Sequence, residues 1–286
     1  MRIGIIGLGL IGGSFAKAFK KYTTHTIYAW DQSNTIRNNA ELVDAVDGFL
    51  PDGNPASCEL ILIALYPQAT IDYVKSFQRE FDASTLVVDC AGVKQEICNT
   101  IAEIATKNSF HFCGGHPMAG LEHSGFTYSK ADLFQGSSMI LTPYEYTDIS
   151  ILNNLSQLLK SIGFARMQVS TPKEHDEMIA YTSQLAHVVS SAYVRSPLSD
   201  KFLGFSAGSF RDMTRVAKLN EAMWSELFLA NSEYLADEID ALASRLTEYS
   251  QVIRKHDQDT LKEFLIEGTT IRKNMDNYTA TSYKSN

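Results

Sequence analysis

The chain has 286 residues, of which 44% are hydrophobic and 20% are charged, as in ordinary soluble globular proteins. At roughly 150 residues per domain, this length predicts two domains. The net charge of −8 and the scattered basic residues argue against a protein that binds nucleic acid, which requires clustered cations. No apolar run approaches the roughly 20 residues of a membrane-spanning helix. The four cysteines show no metal-ligand spacing, so we expect a cytoplasmic protein without a metal site.

Short β-rich runs alternate with helical patterns through the first half of the chain. Continuous apolar strands alternating with helices are typical of an α/β fold, in which helices cover both faces of a doubly wound parallel sheet. The predicted strands span residues 2–6, 26–30, 60–65, 86–89, 110–114, 138–141 and 164–169. The predicted helices span residues 11–21, 68–81, 94–107 and 149–162.

Strand signals stop after Pro172, and the second half of the chain is predicted to be all α. One helix is expected over 174–194 and nearly continuous helix over 217–271. We therefore predict a dinucleotide-binding domain over 1–171 and a helical domain for substrate binding and dimerisation over 172–286. Within the helical domain, apolar residues recur at every third or fourth position, which is typical of a helix that packs internally or in a homodimer: Leu235, Ile239, Leu242, Leu246, Tyr249 and Ile253.

A glycine-rich turn, Gly7-Leu8-Gly9-Leu10-Ile11-Gly12, follows the first predicted strand and opens the first helix. Asp31 closes the second predicted strand, 19 residues after Gly12. This is the complete context of a Rossmann-like fingerprint, in which glycines let the backbone approach a pyrophosphate at a helix N-terminus. An acidic residue here binds ribose hydroxyls and repels a 2′-phosphate, so NAD is predicted over NADP, although Arg37 lies nearby. The predicted cofactor-binding residues are Gly7, Gly9, Leu10, Ile11, Gly12 and Asp31.

A second glycine-rich segment, Gly114-Gly115-His116-Pro117-Met118-Ala119-Gly120, follows the fifth predicted strand. Ligands bind at the carboxyl ends of the strands in open α/β sheets, so this loop is expected at the binding edge. A histidine there titrates near neutral pH and can accept a proton from a substrate hydroxyl. We predict that His116 is a general base. A histidine that merely packs at a strand end is the alternative.

The helical half offers polar residues that could complete a site. On the helix predicted over 174–194, Gln184 and His187 share one face. Arg211 and Arg215 are four residues apart, so a helix would place two cations on one face, where an anion between them would relieve their repulsion. Solvated surface faces are the alternative interpretation of both patterns.

Residues 7–14 and 114–120 together resemble the prephenate dehydrogenases of tyrosine biosynthesis. The resemblance covers essentially the whole chain and continues, in the expected order, through residues 89–94, 175–176, 183–187 and 212–217. It implies NAD-dependent oxidative decarboxylation of prephenate, a small molecule, to 4-hydroxyphenylpyruvate. Hydride leaves the carbon that bears the ring hydroxyl, and CO2 leaves the opposite carbon. The resemblance also implies a homodimer formed through the helical domain.

The resemblance implies roles for individual residues as well. His116 would be the base on the ring hydroxyl, and Arg215 would pair with the ring carboxylate through its guanidinium fork. His187 would bind the side-chain end of the substrate, Glu122 would gate or orient at the entrance, and Trp224 would lie near the pocket. The predicted substrate-binding residues are Arg215, His187, Glu122, Gln184 and Arg211.

One position departs from the family pattern. Relatives commonly carry a serine after the fourth strand that assists the histidine, whereas this chain has Gly92 in the stretch Cys90-Ala91-Gly92-Val93-Lys94. A water, another hydroxyl or His116 alone must then hold the substrate hydroxyl.

Three other functions stay open from the sequence. The first is an arogenate dehydrogenase, with the same chemistry on an amine-bearing substrate. The second is a β-hydroxyacid dehydrogenase or imine reductase of the same two-domain plan, which the Gly-Gly-His-Pro loop disfavours. The third is a non-catalytic NAD-binding regulator, which the presence of both His116 and Arg215 disfavours.

Overall fold

The computed structural model describes residues 1–144 and 147–284, with side chains described up to residue 277. Eight strands form one sheet: β1 (Arg2–Ile6), β2 (Thr26–Trp30), β3 (Gly48–Phe49), β4 (Leu60–Ile63), β5 (Leu86–Asp89), β6 (His111–Pro117), β7 (Ser138–Pro143) and β8 (Arg166–Val169). Their order across the sheet is β3-β2-β1-β4-β5-β6-β7-β8. The helices between them are α1 (Leu10–Tyr22), α2 (Asn34–Leu42), α3 (Pro67–Phe77), α4 (Gln95–Asn108) and α5 (Ile149–Ser161).

Burial on both faces explains why the central strands are unbroken apolar runs. Every residue of β4 is buried, and so are four of the five residues of β1. Alternate residues enter opposite cores: Leu62 packs in one hydrophobic cluster, and its neighbours Ile61 and Ile63 pack in the other. Such two-sided burial is the property of a parallel sheet between helix layers. The predicted doubly wound α/β fold is confirmed.

Three features of this part of the chain were not predicted from the sequence: α2, β3 and the direction of β7. The helix α2 is polar and buries only Ala40, so it shows no apolar periodicity, and β3 has only two residues. β7 runs antiparallel to β6, with His116 opposite Ile140, whereas the other strand pairs of the described chain are parallel. Because this pairing extends β6 through Pro117, His116 belongs to a strand and not to the loop that was expected there.

After β8 the chain is helical. The elements are α6 (Pro172–Ile179), a π-helical turn (Ala180–Gln184), α7 (Leu185–Val194), α8 (Gly208–Thr214), α9 (Glu221–Ala230), α10 (Ser232–Arg254) and α11 (Gln258–Lys284). A capping box begins α6: Thr171 accepts a hydrogen bond from the N–H of Glu174, whose carboxylate accepts one from the N–H of Thr171. The two residues that follow, His175 and Asp176, are buried. The helix predicted over 174–194 therefore exists, with a π turn in its middle.

The chain divides into two compact units, Met1–Leu235 and Ala236–Asn286. The first unit contains the sheet and all of the predicted site residues. The predicted boundary between residues 171 and 172 stays a prediction. Within the second unit, the ring of Tyr249 on α10 meets the ring of Phe264 on α11 edge-on, with centroids 5.2 Å apart. In the described ranges, no helix is long and apolar enough to cross a membrane.

Candidate active site

The candidate site lies at one edge of the sheet, where parallel strands end side by side. β1, β4, β5 and β6 all run in the same direction, so the residues that follow them meet at their carboxyl ends. The glycine turn follows β1, the stretch 90–94 follows β5, and His116 is the penultimate residue of β6. The predicted cofactor turn and the predicted base therefore share the edge at which open α/β sheets bind ligands.

The glycine turn between β1 and α1 has the shape that a dinucleotide requires. Gly7 has a φ of +87°, and a side chain there would come within 2.7 Å of the Ala64 carbonyl oxygen. A Cβ at Gly12 would lie 1.9 Å from the Gly7 carbonyl oxygen, whereas a Cβ at Gly9 would meet no described atom within 4 Å. Gly9 caps α1 without a side-chain hydrogen bond. The first N–H groups of α1, from Leu10 onward, are therefore left for a phosphate in the open space beside Gly9.

Asp31 lies directly after β2, beside the glycine turn. Its carboxylate accepts hydrogen bonds from the backbone N–H groups of Leu8 and Ser33, both at 2.9 Å. These bonds hold the carboxylate at the turn and leave lone pairs on both oxygens for ribose hydroxyls. The Arg37 guanidinium donates to the Asp31 carbonyl oxygen and to the Asn34 side chain. A cation therefore lies next to the residue that is predicted to choose between NAD and NADP.

His116 contacts a second histidine, His175 of α6. His116 Nδ1 is 2.9 Å from His175 Nε2, and His175 Nδ1 is 2.7 Å from Asp176 Oδ1. His175 and Asp176 are only 2% and 1% exposed. The Asp176 carboxylate also accepts hydrogen bonds from the backbone N–H groups of Lys94 and Gln95 at the start of α4, both at 2.8 Å. α6 is thereby tied to both β6 and α4.

The surroundings of His116 favour the neutral imidazole. Burial lowers the pKa of His116 well below its usual value, and the positive charges that His175 and Lys94 can carry add to this shift. Burial also lowers the pKa of His175, against the opposing effect of Asp176. Lys94 forms an ion pair with Asp89, and both side chains are fully buried. A neutral histidine can accept a proton at neutral pH, which is what the predicted base requires.

Gly92 lies against His116, at the position where the family pattern has a serine. A Cβ at Gly92 would be 4.0 Å from His116 Nε2 and 3.3 Å from a methyl carbon of Leu227 on α9. A hydroxyl one bond further out could reach Nε2, which is how a serine there would assist the histidine. In the described chain, the three atoms nearest to that place are two methyl carbons of Leu227 and Nε2 itself, so no hydroxyl is among them. His116 alone or a water is therefore left as the partner of the substrate hydroxyl.

Arg215 and Glu122, both predicted substrate-binding residues, form an ion pair with each other. Arg215 Nη1 is 3.3 Å from Glu122 Oε1, and the side chains are 60% and 59% exposed. Exposed ion pairs contribute little to stability because water screens them, so a substrate carboxylate can compete for the guanidinium. Arg211, one helical turn earlier on α8, is exposed as well.

His187 of α7 packs on the ring of Trp224, with ring centroids 4.0 Å apart. Its Nδ1 is 3.1 Å from the Val216 carbonyl oxygen. Burial lowers the pKa of His187, the hydrogen bond to Val216 opposes this shift, and the charge of Arg215 adds to it. The neutral ring therefore donates from Nδ1 to Val216 and presents Nε2 as a hydrogen-bond acceptor.

Gln184, in the π turn, is 1% exposed, and both ends of its amide bind the protein itself. Its Nε2 donates to the Leu227 carbonyl oxygen at 3.0 Å, and its Oε1 accepts from Asn231 at 2.7 Å. Asn231 also donates to the carbonyl oxygen of Asp176 at 2.9 Å. The structure thus places Gln184 in the packing between the π turn and α9, apart from the exposed residues Arg211 and Arg215. Its role in substrate binding stays a prediction.

Sequence reasoning assigned no role to several residues that surround His116. His175 and Asp176 belong to a segment that carries the family resemblance, but the contact of His175 with His116 spans 59 residues. Lys94 and Asp89 are charged, and charged residues are expected on the surface unless they are paired. A carboxylate at the end of the buried strand β5, five residues before a lysine, is the one local signal of that pair.

Two family matches together span most of the chain. Residues 15–169 match the family described as prephenate dehydrogenase, nucleotide-binding domain, and residues 171–267 match prephenate dehydrogenase, dimerization domain. A cyclohexadienyl dehydrogenase of Zymomonas mobilis is 29% identical over 283 residues, which cover 94% of this chain and 94% of that protein. A prephenate dehydrogenase of Bacillus subtilis is 29% identical over 268 residues, which cover 90% of this chain and 71% of that protein.

A solved structure shows the same likeness. The prephenate dehydrogenase of A. aeolicus, in complex with hydroxyphenyl propionate and NAD+, matches with a TM-score of 0.83. It is 26% identical in sequence, and the match covers 96% of this chain and 98% of that one. The likeness therefore includes both the nucleotide-binding part and the helical part.

Proposed function

The chain belongs to the prephenate dehydrogenase family, and we propose that it catalyses the NAD-dependent oxidative decarboxylation of prephenate to 4-hydroxyphenylpyruvate in tyrosine biosynthesis. One observation carries the proposal. His116 Nδ1 is held by His175 at the carboxyl edge of the sheet, which leaves Nε2 for a substrate hydroxyl. The lowered pKa of His116 keeps this nitrogen available as a base at neutral pH.

The reaction needs a base that holds one proton briefly. His116 removes the proton of the ring hydroxyl while the ring carbon that bears this hydroxyl gives up its hydride. Loss of CO2 from the opposite ring carbon then leaves a phenolate, and His116 returns the proton to the phenolate oxygen. Aromatisation supplies much of the driving force, so the protein mainly has to orient the ring and move this proton.

The residues of the glycine turn fit NAD, which supplies the hydride acceptor when it is bound. The open space beside Gly9 and the first N–H groups of α1 would hold the pyrophosphate. Asp31, already held at the turn by Leu8, would accept hydrogen bonds from the adenosine ribose.

Arg215 and Glu122 would control how the substrate enters. The guanidinium would bind the ring carboxylate as a fork, and Glu122 would release it as the substrate arrives. The exposure of both side chains supports this exchange, because their ion pair is screened by water and 3.3 Å long.

Arogenate is the second candidate substrate, and one observation favours it. It carries an amine where prephenate has a side-chain keto group. A neutral His187, whose Nδ1 is taken by Val216, would offer Nε2 as an acceptor. An acceptor suits the ammonium group of arogenate better than a keto oxygen.

Rates of NADH formation with prephenate and with arogenate, at matched concentrations and with NAD in excess, test the function. We expect the higher kcat/KM for prephenate. A higher kcat/KM for arogenate would leave the proposed reaction unchanged. It would show that the predicted substrate preference is wrong, and that the surroundings of His187 favour the amine. NAD binding without turnover of either acid would instead indicate a non-catalytic regulator.

We expect NAD to bind more tightly than NADP. Asp31→Asn should reduce the ratio of the NADP and NAD dissociation constants roughly tenfold, because the neutral amide no longer repels a 2′-phosphate. Asparagine retains one side-chain acceptor for the N–H of Leu8 or Ser33, so the turn keeps part of its support. Quenching of tryptophan fluorescence, to which Trp30 beside Asp31 contributes, gives both dissociation constants. Tighter binding of NADP by the unaltered chain would contradict the assignment of Asp31.

We infer that the protein is a cytoplasmic homodimer. All four cysteines are free and buried, in keeping with a reducing compartment. Residues 171–267 match a dimerization domain, and exposed apolar patches mark protein–protein interfaces. The long helices of the second unit expose large apolar side chains, namely those of Leu246, Ile253, Leu265, Ile266 and Ile271. Sedimentation at micromolar concentration should therefore show a dimer, and a monomer would contradict the inference.

A further inference from the structure

We propose that His175 and Asp176 are positioning residues that keep the proton of neutral His116 on Nδ1 and thereby keep its Nε2 basic. This inference rests on the proposed function and deepens it, since it names the groups that make His116 the base. Two contacts carry it: 2.7 Å from Asp176 Oδ1 to His175 Nδ1, and 2.9 Å from His175 Nε2 to His116 Nδ1.

The carboxylate determines each proton position along these contacts. Asp176 already accepts hydrogen bonds from two backbone N–H groups, so it acts as an acceptor and His175 Nδ1 donates to it. His175 Nε2 then carries a lone pair and accepts from the Nδ1–H of His116. A neutral imidazole has one N–H, so Nε2 of His116 is left unprotonated.

The protein around the two histidines holds this arrangement in place. The backbone N–H groups of Lys94 and Gln95 fix the carboxylate of Asp176, and Asn231 donates to its carbonyl oxygen. The charged groups that face the histidines are the buried pair Lys94 and Asp89, together with Asp176 itself. Oδ1 of Asp176 accepts from Lys94 and His175 and Oδ2 accepts from Gln95, so the carboxylate cannot rotate without losing several hydrogen bonds.

The hydrogen bonds from His116 through His175 to Asp176 do not continue to solvent. The reaction does not require a proton path beyond them. A proton that reached His175 would have no further carrier, because the remaining bonds of the Asp176 carboxylate are to backbone N–H groups. The proton taken from the hydroxyl returns to the phenolate oxygen, so none has to leave for solvent. When His116 is protonated, its Nδ1–H keeps His175 as acceptor, and the buried carboxylate stabilises the added charge.

Two substitutions of His175 separate positioning from packing. His175→Leu removes the acceptor, so the proton of neutral His116 should move to Nε2. We expect kcat to fall at least about 100-fold, because the wrong tautomer of a catalytic histidine costs up to about 10⁴-fold. His175→Gln can place an amide oxygen where Nε2 was, so kcat should fall less than about tenfold, below the usual effect of losing a base. KM and the dissociation constant of NAD should stay nearly constant in both.

Nitrogen chemical shifts of 15N-labelled histidine read the tautomer without any substrate. The chain has seven histidines, and the spectrum of His116→Asn assigns the signals of His116. We expect protonated Nδ1 and unprotonated Nε2 in the unaltered protein, and the reverse in His175→Leu. The exposed His256, changed to asparagine, serves as control and should leave both the spectrum of His116 and kcat unchanged.

The outcomes separate this inference from the proposed function. A protonated Nε2 on neutral His116 in the unaltered protein would overturn the inference whatever the substrate is. A His175→Leu variant with the kcat of the unaltered protein would also overturn the inference, whether or not its KM rises. If the spectrum is as expected but neither cyclohexadienyl acid is turned over, the positioning pair stands and the proposed function fails.

Discussion

His116→Asn should lower kcat by roughly 10²–10⁴, the range for loss of a general base. Asparagine can still donate to His175 from its amide, so the contact that holds α6 against β6 is partly kept. It has no basic nitrogen for the substrate hydroxyl. Because the glycine turn is a separate element after β1, the dissociation constant of NAD should be nearly unchanged. Initial rates of NADH formation give kcat, and quenching of tryptophan fluorescence gives the dissociation constant of NAD.

The pH profile of the unaltered enzyme adds a second readout for His116. The base must be neutral to act, and burial, with the positive charges that His175 and Lys94 can carry, lowers its pKa well below the ordinary value of about 6.5. Activity should therefore persist as the pH falls through 6.5 and be lost only at the lower pKa. In His116→Asn, this acid limb should disappear from the residual activity.

Two results would remove His116 from its role. Near-full kcat in His116→Asn would show that another group takes the hydroxyl proton. An acid limb at an ordinary histidine pKa, unchanged by the substitution, would place the titrating group elsewhere. His256→Asn provides the matched control, since His256 is exposed with a φ of +55° that asparagine tolerates.

The fold could be predicted wherever burial leaves a local pattern in the sequence. β1 and β4 are apolar because both of their faces are covered, and α1 follows a glycine turn whose spacing is diagnostic. α2 and β3 were not predicted, because α2 is polar and β3 is too short to show an alternation of apolar and polar residues. The length of β6 depends on its pairing with β7, which lies more than 20 residues further along the chain. No local window contains that information.

The candidate site could be predicted as far as single residues with a distinctive setting. His116 stands between glycines and proline, and Asp31 stands at a fixed spacing from the glycine turn. The partners of His116 depend on tertiary packing, which brings His175 from a helix 59 residues away. A helical pattern also cannot distinguish a polar face that meets solvent from one that meets a buried side chain, so the hydrogen bond of Gln184 to Asn231 could not be predicted.

Removing one partner of the buried pair of Lys94 and Asp89 should cost more stability than removing a partner of an exposed ion pair. Both side chains are 0% exposed. Asp89 also accepts hydrogen bonds from the N–H groups of Ala91 and Gly115, so its carboxylate joins the stretch after β5 to the residue before His116. Lys94→Met would leave this carboxylate buried without a cation. Breaking a buried pair in this way costs about 3–5 kcal/mol, because the remaining charge has lost its water and its partner.

We therefore expect Lys94→Met to lower Tm by roughly 10 °C, at about 2–4 °C per kcal/mol for a chain of this size. Lys107→Met on the same helix is the matched control: its ion pair with Glu103 is exposed, so Tm should hardly change. In an Asp89→Asn background, Lys94→Met should cost much less, since no buried carboxylate remains to be left unpaired. Thermal unfolding of the unaltered protein, the three single variants and the double variant, followed by circular dichroism, tests this prediction. Equal losses in both backgrounds would mean that Lys94 acts by packing, and that charge pairing does not hold this part of the site together.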